Sequence, residues 1–166
     1  ERVTAGMNDR AKRGLFNGGQ IPFGYQLMPE KKGHLAIHEE NKDIVVLAFD
    51  LFLQEESLAS AARSLNEKGL KIHGKMFTDS NLDYLLNNRI YLGLRSYKDR
   101  GEVKEVKACW PSIIGESKFN QVQKLLKKNR FSRKSPSKSR YPYILSGLCF
   151  CANCGDPLVG KSAHGN

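Results

Sequence analysis

"NGGQIPFGYQL" (residues 17–27) is the most distinctive stretch of this sequence. It places two adjacent glycines, a proline and two aromatic residues directly behind the basic run "RAKRG" (residues 10–14). Glycine and proline at this density disfavour a helix, and they interrupt the pattern that a central strand needs. The stretch therefore predicts an extended loop that leaves a positively charged helix.

The residues on either side of this loop predict a helix and a strand. Upstream, "ERVTAGMNDRAKRG" (residues 1–14) has good helix formers and ends in glycine, as the last part of a basic helix does. Downstream, "GHLAIHEEN" (residues 33–41) alternates its side chains and predicts a short strand. His34 and His38 have a zinc-ligand spacing only on a helix, so we expect exposed strand histidines instead.

Apolar residues at helical spacing predict three helices after the strand. They cover "KDIVVLAFDLFL" (residues 42–53), "SLASAARSLNEKG" (57–69) and "TDSNLDYLLNN" (78–88). Ser57 is expected to cap the second helix, and Thr78 or Asp79 the third. The residues expected to face inward are Ile44, Leu47, Ala48, Leu51, Phe52, Leu58, Ala61, Ala62, Leu65, Leu82, Leu85 and Leu86.

A hairpin and a further helix complete the predicted fold. "YLGLRSYKDRGEVKEVKACW" (residues 91–110) predicts two strands that turn near residues 99–101, with Trp110 as a packing anchor. "SIIGESKFNQVQKLLKKN" (112–129) predicts a helix that buries Phe119, Val122, Leu125 and Leu126. The fold class expected is α+β: a mainly helical domain with a small antiparallel hairpin or sheet, followed by a truncated zinc ribbon.

The charge of the chain predicts an anionic partner. Its formal net charge is +10 at pH 7, which favours nucleic acid over a membrane because no basic amphipathic helix with a Trp/Leu face is present. No apolar run is long enough to span a bilayer, so no membrane partner is expected. Between residues 117 and 155 there is no Asp or Glu. The Ser-rich basic segment 132–140 within it predicts a flexible linker.

The four cysteines suit a metal site better than a disulfide framework, and they favour a reducing, intracellular setting. In "CANC", Cys151 and Cys154 could supply two thiolates to a zinc ion. Cys149 lies too close to Cys151 to join the same tetrahedron easily. We therefore expect half of a zinc site, with the alternative that the pair is reduced and binds no metal within these residues. A redox motif would need a thioredoxin-like setting, which is absent.

One further match is rejected. "GDPLVGKS" (residues 155–162) fits the P-loop pattern letter for letter. That loop needs a buried strand before it and a helix after it to hold a phosphate, but a cysteine knuckle precedes this one. Nucleotide binding is not expected, and no pairing of a nucleophile with a base points to catalysis.

The second and third predicted helices resemble a helix-turn-helix with an enlarged turn of about ten residues. Short amide and hydroxyl side chains on the outer face of the third helix suit base edges and phosphates in a major groove. A solvated helix face explains the same pattern, and both interpretations stay open. The outward residues are Ser80, Asn81, Asp83, Tyr84, Asn87 and Asn88, with Arg89 directly after them.

Four ordered motifs resemble the large serine recombinases, at the junction where a long helix enters the DNA-binding recombinase domain. The opening stretch matches with Gly18, Gly19, Pro22, Phe23, Gly24 and Tyr25. "SLASAARSLNEKGL" resembles a helix of the family, and "FTDSNLDYLLNNRIYLG" its signature with Asn88, Tyr91 and Gly93. "YILSGLCFCANCG" resembles the entry to its zinc ribbon.

The resemblance implies a domain order and an activity. Residues 1–16 would end a linker helix, 17–131 form the recombinase domain, 132–140 the basic linker, and 141–166 begin an incomplete zinc ribbon. The parent protein would integrate, excise or transpose DNA through a serine in a domain that this sequence lacks, as a dimer or tetramer in a bacterial cytoplasm. We expect no catalysis from this fragment, zinc only in the parent, and a double-stranded attachment site as partner.

The resemblance also implies how the chain holds DNA. A glycine pair lets an extended backbone enter a minor groove, so residues 18–25 would lie along the minor groove. The third helix would occupy the major groove and the basic linker would cross the backbone. A surface loop whose aromatic residues pack on the domain explains the same segment, and both interpretations hold if only the backbone of residues 18–20 faces DNA. The alternative function is a basic RNA-binding or ribosome-associated zinc-ribbon protein. The DNA-contacting residues expected are Arg10, Lys12, Arg13, Gly18, Gly19, Gln20, Ser80, Asn81, Tyr84, Asn87, Asn88, Arg89, Lys127, Lys128, Arg130, Arg133 and Lys134.

Overall fold

The computed structural model describes residues 2–99, 102–132, 148–153, 155 and 158. The chain divides into two compact units, Glu1–Leu126 and Lys127–Asn166. Almost all of the described secondary structure belongs to the first unit. None of the described helices combines the length and the apolarity that a bilayer crossing requires.

Helices dominate the first unit, and two small antiparallel sheets accompany them. In chain order the elements are α1 (Arg2–Lys12), β1 (Tyr25–Leu27), β2 (Leu35–Ile37), α2 (Glu39–Glu55), α3 (Leu58–Glu67), α4 (Asp79–Asn87), a 3₁₀ turn (Arg89–Leu92), β3 (Leu94–Asp99), β4 (Glu102–Lys107) and α5 (Glu116–Ser132). The α+β class is confirmed; the truncated zinc ribbon stays a prediction.

Side-chain caps explain where the helices begin. Ser57 and Thr78 accept hydrogen bonds from the backbone N–H groups of Ser60 and Asn81, which confirms the expected caps of α3 and α4. Helix α2 begins earlier than predicted, because the Nδ1 of His38 accepts from the N–H of Asn41. The expectation that His34 and His38 are exposed strand residues is therefore wrong, since His34 is also half-buried and precedes β2.

The predicted loop ends in a strand that sequence reasoning missed. Tyr25 pairs with Ile37 and Leu27 with Leu35 in the β1–β2 sheet. The turn into β1 requires glycine, since Gly24 has a φ of 91° and a Cβ there would lie 3.0 Å from the Val45 side chain. The glycine and proline of this stretch shape a turn and leave room for a short edge strand after it.

Aromatic residues join the loop to the helical core. The rings of Tyr25 and Tyr91 stack with centroids 6.1 Å apart, and Phe49 meets Tyr91 edge-on at 6.2 Å. The hydroxyl of Tyr25 donates to the carbonyl oxygen of Pro111 at 2.9 Å. Trp110 is buried, and its Nε1 donates to the carbonyl oxygen of Ile90 at 3.2 Å, which confirms its role as a packing anchor.

The inward face of α2 is rotated from the one predicted. Val45 and Phe49 are fully buried, whereas Ile44 and Leu47 are only partly buried. Leu125 of α5 also lies at the margin of the core. The other residues expected to face inward are buried: Ala48, Leu51, Phe52, Leu58, Ala61, Ala62, Leu65, Leu82, Leu85, Leu86, Phe119, Val122 and Leu126.

Candidate nucleic-acid interface

The glycine-rich stretch has an exposed part, which we call the glycine tip, and a buried part, residues 23–25, which we call its root. Residues 18–20, the glycine tip, are exposed, and the φ angles of Gly18 and Gly19 are 97° and 94°. Phe23 and Tyr25 are only 6% and 5% exposed. A backbone with two consecutive positive φ angles is accessible to glycine at little cost. The aromatic residues thus anchor the stretch, so a minor groove could meet only the exposed tip and not the whole of residues 18–25.

Three cations near the C-terminal end of α1 precede this stretch, and one of them contacts the backbone that leads into it. The Nη2 of Arg10 donates to the carbonyl oxygen of Phe16 at 3.2 Å, so this guanidinium stabilises the backbone that leads to the tip. Arg13 and Asp9 form an exposed ion pair with the two charged atoms 3.7 Å apart. Lys12 is also exposed. Contact of these three cations with phosphates stays a prediction.

The amide side chains of α4 hold the helix together rather than pointing freely outward. Asn81 completes a capping box: its Oδ1 accepts from the N–H of Thr78 at 2.8 Å, and its Nδ2 donates to the carbonyl oxygen of Met76 at 3.0 Å. The Nδ2 of Asn87 donates to the carbonyl oxygen of Asp83 at 2.7 Å. Short amides compete for nearby backbone groups, and here they are half-buried in doing so.

The open face of α4 is therefore formed by other side chains. Tyr84 is 75% exposed in the middle of the helix, and Ser80 is exposed one turn earlier. Arg89 follows the helix, and its Nε lies 2.9 Å from the Oε1 of Glu105 on β4. Tyr84 is consequently the largest side chain that α4 offers to a partner.

Two clefts lie where the glycine tip meets α4. The first, which we name the His73 cleft, has a volume of about 250 Å³, and the second, the Arg95 cleft, about 470 Å³. Gln20, Pro22, Tyr84 and Asn88 line both clefts. The clefts therefore adjoin, and Gln20 of the tip and Tyr84 of the helix contribute to one concave surface.

Six of the residues predicted from sequence meet at this surface. Asn81 lines the His73 cleft, and Asn87 and Arg89 line the Arg95 cleft. They join Gln20, Tyr84 and Asn88, which line both. Gly18, Gly19 and Ser80 are exposed but line neither cleft.

Sequence reasoning missed four polar residues of the two clefts. His73 and Lys75 lie on a tight turn closed by a bridge between Ile72 and Lys75, and the His73 ring meets Phe23 edge-on at 5.3 Å. This turn belongs to the enlarged connection between the second and third predicted helices. Arg95 and Ser96 lie on β3, where alternation alone gives no sign of a cleft.

The remaining predicted residues belong to the second unit or lie outside the described part of the chain. Lys127, Lys128 and Arg130 occupy exposed positions near the end of α5. Arg133, Lys134, Cys154 and most of the predicted linker and zinc-ribbon segments lie outside the described residues. Within the described ranges, no three His, Cys, Asp or Glu residues come together as a metal site would require.

The Cys151 knuckle has a local turn in the second unit. Cys151 is half-buried, and its carbonyl oxygen accepts a hydrogen bond from the N–H of Gly155 at 2.9 Å. Gly155 has a φ of 72°. The N–H of Leu158 donates to the carbonyl oxygen of Cys149, also at 2.9 Å. The chain therefore turns back within the described part of this segment.

Comparison with known proteins gives a consistent family. The family model described as Recombinase matches residues 39–129, which is more than half of this chain. A protein of Bacillus subtilis (strain 168) that bears the name DNA recombinase is 27% identical over 194 aligned residues, covering 99% of this chain and 38% of that protein.

Two solved structures share the fold. One is a crystal structure of an LSR–DNA complex, with a TM-score of 0.72, 28% identity and coverage of 96% of this chain and 47% of the other. The second concerns the sequence requirements of the Listeria innocua prophage attP site, with a TM-score of 0.68, 29% identity and coverage of 93% and 63%. The chain spans less than two thirds of each of these relatives.

A further group of relatives bears a different name. Clostridium botulinum proteins named fructose-1,6-bisphosphatase class 3 are 24% identical over 132 residues, which is 80% of this chain but 18% of their own length. A match to less than a fifth of an enzyme gives no ground for extending its activity to this chain.

Proposed function

This chain belongs to the recombinase family of the large serine recombinases, and from that premise we propose that it binds duplex DNA at the attachment site of a site-specific recombinase. The parent protein would integrate, excise or transpose DNA. Its strand exchange would depend on a serine in a separate catalytic domain, so this chain alone is expected to bind DNA without cutting it.

One observation carries this proposal: the glycine tip and α4, far apart in sequence, line the same pair of clefts. Gln20 and Tyr84 each line both. A duplex that contacts α4 would therefore also lie against the tip. The basic character of the chain, with a net charge of +10, supplies the sequence-independent attraction that phosphates require.

The dimensions of B-DNA suit a division of labour between these two elements. The major groove is about 12 Å wide and admits a helix, whereas the minor groove is about 6 Å wide and suits an extended backbone. We assign α4 to the major groove and residues 18–20 to the adjacent minor groove. One strand of the duplex then passes between them, across the clefts.

The hydrogen bonds of α4 change the roles assigned to its residues. Both polar ends of the Asn81 amide have partners in the capping box, so base recognition is assigned to Ser80 and Tyr84 in preference to Asn81. Asn87 and Asn88 contribute chiefly by fixing the end of the helix and the 3₁₀ turn. Lys127, Lys128 and Arg130 are assigned to phosphates, and the 132–140 linker to a crossing of the DNA backbone.

We also propose that Cys151 and Cys154 give two thiolates to a structural zinc ion in the parent protein. The C-x-x-C spacing and the chain reversal at Gly155 fit two corners of a tetrahedral site. The other two ligands would come from a further segment of the parent protein. When bound, zinc would stabilise the fold of the ribbon and would take no part in strand exchange.

The assembly and the location of the parent follow from the same proposal. Recombination joins two DNA sites, so the parent is proposed to act as a dimer on each site and as a tetramer when two sites meet. Its substrate is the chromosome or phage genome, which places the reaction in the bacterial cytoplasm.

A binding comparison tests the proposal. Fluorescence anisotropy of this chain with duplex DNA and with structured RNA of equal length, at the same salt concentration, separates it from the alternative of an RNA-binding protein. We expect tighter binding to the duplex. Equal or tighter binding to RNA would contradict the proposal, and a nicking assay on supercoiled DNA is expected to show no cleavage.

A further inference from the structure

The Arg95 cleft contains a cation whose Nε is buried without a hydrogen-bond partner among the described residues. Arg95 lies on β3 opposite Val106 and lines the cleft together with Gln20, Tyr84 and Asn88. Burying a guanidinium donor without an acceptor is costly, because the group cannot lose its charge to compensate.

The nearest acidic group of the hairpin is already engaged by other residues. The Oε1 of Glu105 lies 2.9 Å from the Nε of Arg89 and accepts a hydrogen bond from the Ser96 hydroxyl at 3.2 Å. In the antiparallel register Glu105 faces Ser96, one position beyond Arg95. Glu105 therefore pairs with Arg89, which also lines the cleft, and the charge of Arg95 is not matched by it.

Two further observations indicate that the Arg95 cleft is suited to an anion. Burial lowers the pKa of the Arg95 guanidinium from its ordinary value, which indicates that the fold makes this cation less stable than it would be in water. A bound anion would reverse that effect. The Oδ1 of Asn88 accepts from the N–H of Ile90 at 3.1 Å, which leaves the NH₂ end of its amide to donate into the cleft.

We propose that the Arg95 cleft is a seat for one phosphodiester group of duplex DNA, held by the fork of Arg95 with Arg89 and Asn88 as supporting donors. This inference rests on the proposed function and deepens it. A phosphodiester is a single anion with two free oxygens, which matches the paired donors of a guanidinium. The strand that separates the major from the minor groove would supply it, because the cleft lies between α4 and the glycine tip.

The first test is the salt dependence of binding to a mixed-sequence duplex, measured by anisotropy over a series of KCl concentrations. Arg95→Gln is expected to weaken binding about tenfold or more and to reduce the log–log slope by about 0.9, since one phosphate contact is lost. Lys68→Gln is the matched control: Lys68 is exposed at the end of α3 and lines neither cleft. Its slope is expected to stay unchanged.

Thermal unfolding separates a binding role from a packing role. Since the Arg95 Nε is desolvated without a partner among the described residues, Arg95→Gln is expected to unfold at the same temperature as the unchanged chain or a higher one. Arg95→Lys keeps the charge but loses the fork, so it should preserve the slope while weakening the affinity. A lower unfolding temperature for Arg95→Gln with an unchanged slope would overturn the proposal.

A modified duplex tests the seat on the unchanged chain. Neutral methylphosphonates are introduced one at a time along each strand of the duplex. At one position the methylphosphonate should lower the affinity of the unchanged chain for the duplex. At that same position it should leave the affinity of Arg95→Gln unchanged. The absence of such a position would overturn the seat, and the weakening measured with the unchanged chain does not depend on how any variant folds.

The remaining outcomes distinguish the seat from the proposed function. If the unchanged chain does not bind duplex DNA, the proposed function and the phosphodiester seat are both wrong. If it binds and Arg95→Gln binds equally with the same slope, the seat alone fails. Inorganic phosphate that shifts the Arg95 Nε–H resonance and is displaced by the duplex supports the seat, whereas phosphate that the duplex does not displace overturns its assignment to DNA.

Discussion

The hydroxyl of Tyr91 donates a hydrogen bond to the carbonyl oxygen of Phe23 at 3.0 Å, between two residues 68 apart in the sequence. Both residues are buried, and Tyr91 also stacks on Tyr25. The root of the glycine-rich stretch is thereby fixed to the 3₁₀ turn that follows α4. The glycine-rich stretch and the turn after α4 thus share this anchor.

Removing this hydroxyl should weaken the fold without removing any ring contact. Tyr91→Phe leaves the Phe23 carbonyl oxygen buried without its partner, which costs about 1–3 kcal/mol. We expect a lower free energy of unfolding in urea and a lower thermal midpoint. Tyr84→Phe removes a hydroxyl from a side chain that is 75% exposed and should leave stability unchanged. An equal effect of the two substitutions would contradict the role given to Tyr91.

The two stacked tyrosines, Tyr25 and Tyr91, should make the fold less stable in alkali. Burial raises the pKa of both Tyr25 and Tyr91 above the ordinary value of 10.0. The neutral hydroxyl is therefore favoured by the fold, and its contribution is fully present below pH 10.0 and is lost as pH rises above it. Each tyrosine should lower the unfolding free energy by about 1.4 kcal/mol per pH unit in that range. Urea titrations at stepped pH check this, and a flat profile above pH 10.0 would contradict it.

Tyr84 should affect DNA binding and not stability. Its ring is the largest exposed surface of α4 and lines both clefts. Tyr84→Ala is expected to weaken duplex binding about tenfold, since one good contact contributes about 1–3 kcal/mol. Met76→Ala is a suitable control, because Met76 is 63% exposed and lines neither cleft. Equal losses for the two variants in an anisotropy titration would argue against an interface at Tyr84.

Asn81 should affect stability more than sequence preference. Its amide closes the capping box with Thr78, and loss of a cap costs about 1 kcal/mol. Asn81→Ala should therefore lower the thermal midpoint while the ratio of affinities for target and random duplexes stays the same. Ser80→Ala should change the ratio of affinities for target and random duplexes and leave the thermal midpoint unchanged. A change of base preference with an unchanged midpoint in Asn81→Ala would restore the role predicted from sequence.

Lys127 and Lys128 should contribute to every duplex equally. Both are exposed on the C-terminal part of α5. Replacing either by Gln should lower the salt slope by about 0.9 and weaken target and random duplexes by the same factor. A loss confined to the target duplex would show that these lysines take part in sequence recognition.

Much of the fold could be predicted because it depends on local patterns. Ser57 and Thr78 cap helices from positions that sequence marks clearly, and leucine spacing predicted the inward faces of α3 and α4. The hairpin of β3 and β4 also follows from alternation. Helix α2 was harder, because most of its side chains are apolar. Which ones are buried there depends on the neighbouring aromatic residues, and Phe49 packs on Tyr91 and Phe119.

The site was predictable in outline but not in its chemistry. The motif pattern selected Gln20, Tyr84 and Asn88, which lie together. It did not reveal that the Asn81 amide closes a capping box, because sequence does not show whether a short amide binds backbone or faces solvent. It missed Arg95, which lines a cleft formed by the tip and the 3₁₀ turn. Such a cleft arises from tertiary packing, and no local pattern encodes it.

Amide hydrogen exchange can show whether the glycine tip and the open face of α4 contact one duplex together. Exchange of the chain is measured by mass spectrometry with and without a target duplex, with structured RNA as a control. We predict that residues 18–20 and the peptides of α4 both gain protection on binding duplex DNA, to the same extent at each DNA concentration. Protection of one of these segments without the other, or of neither, would contradict the account.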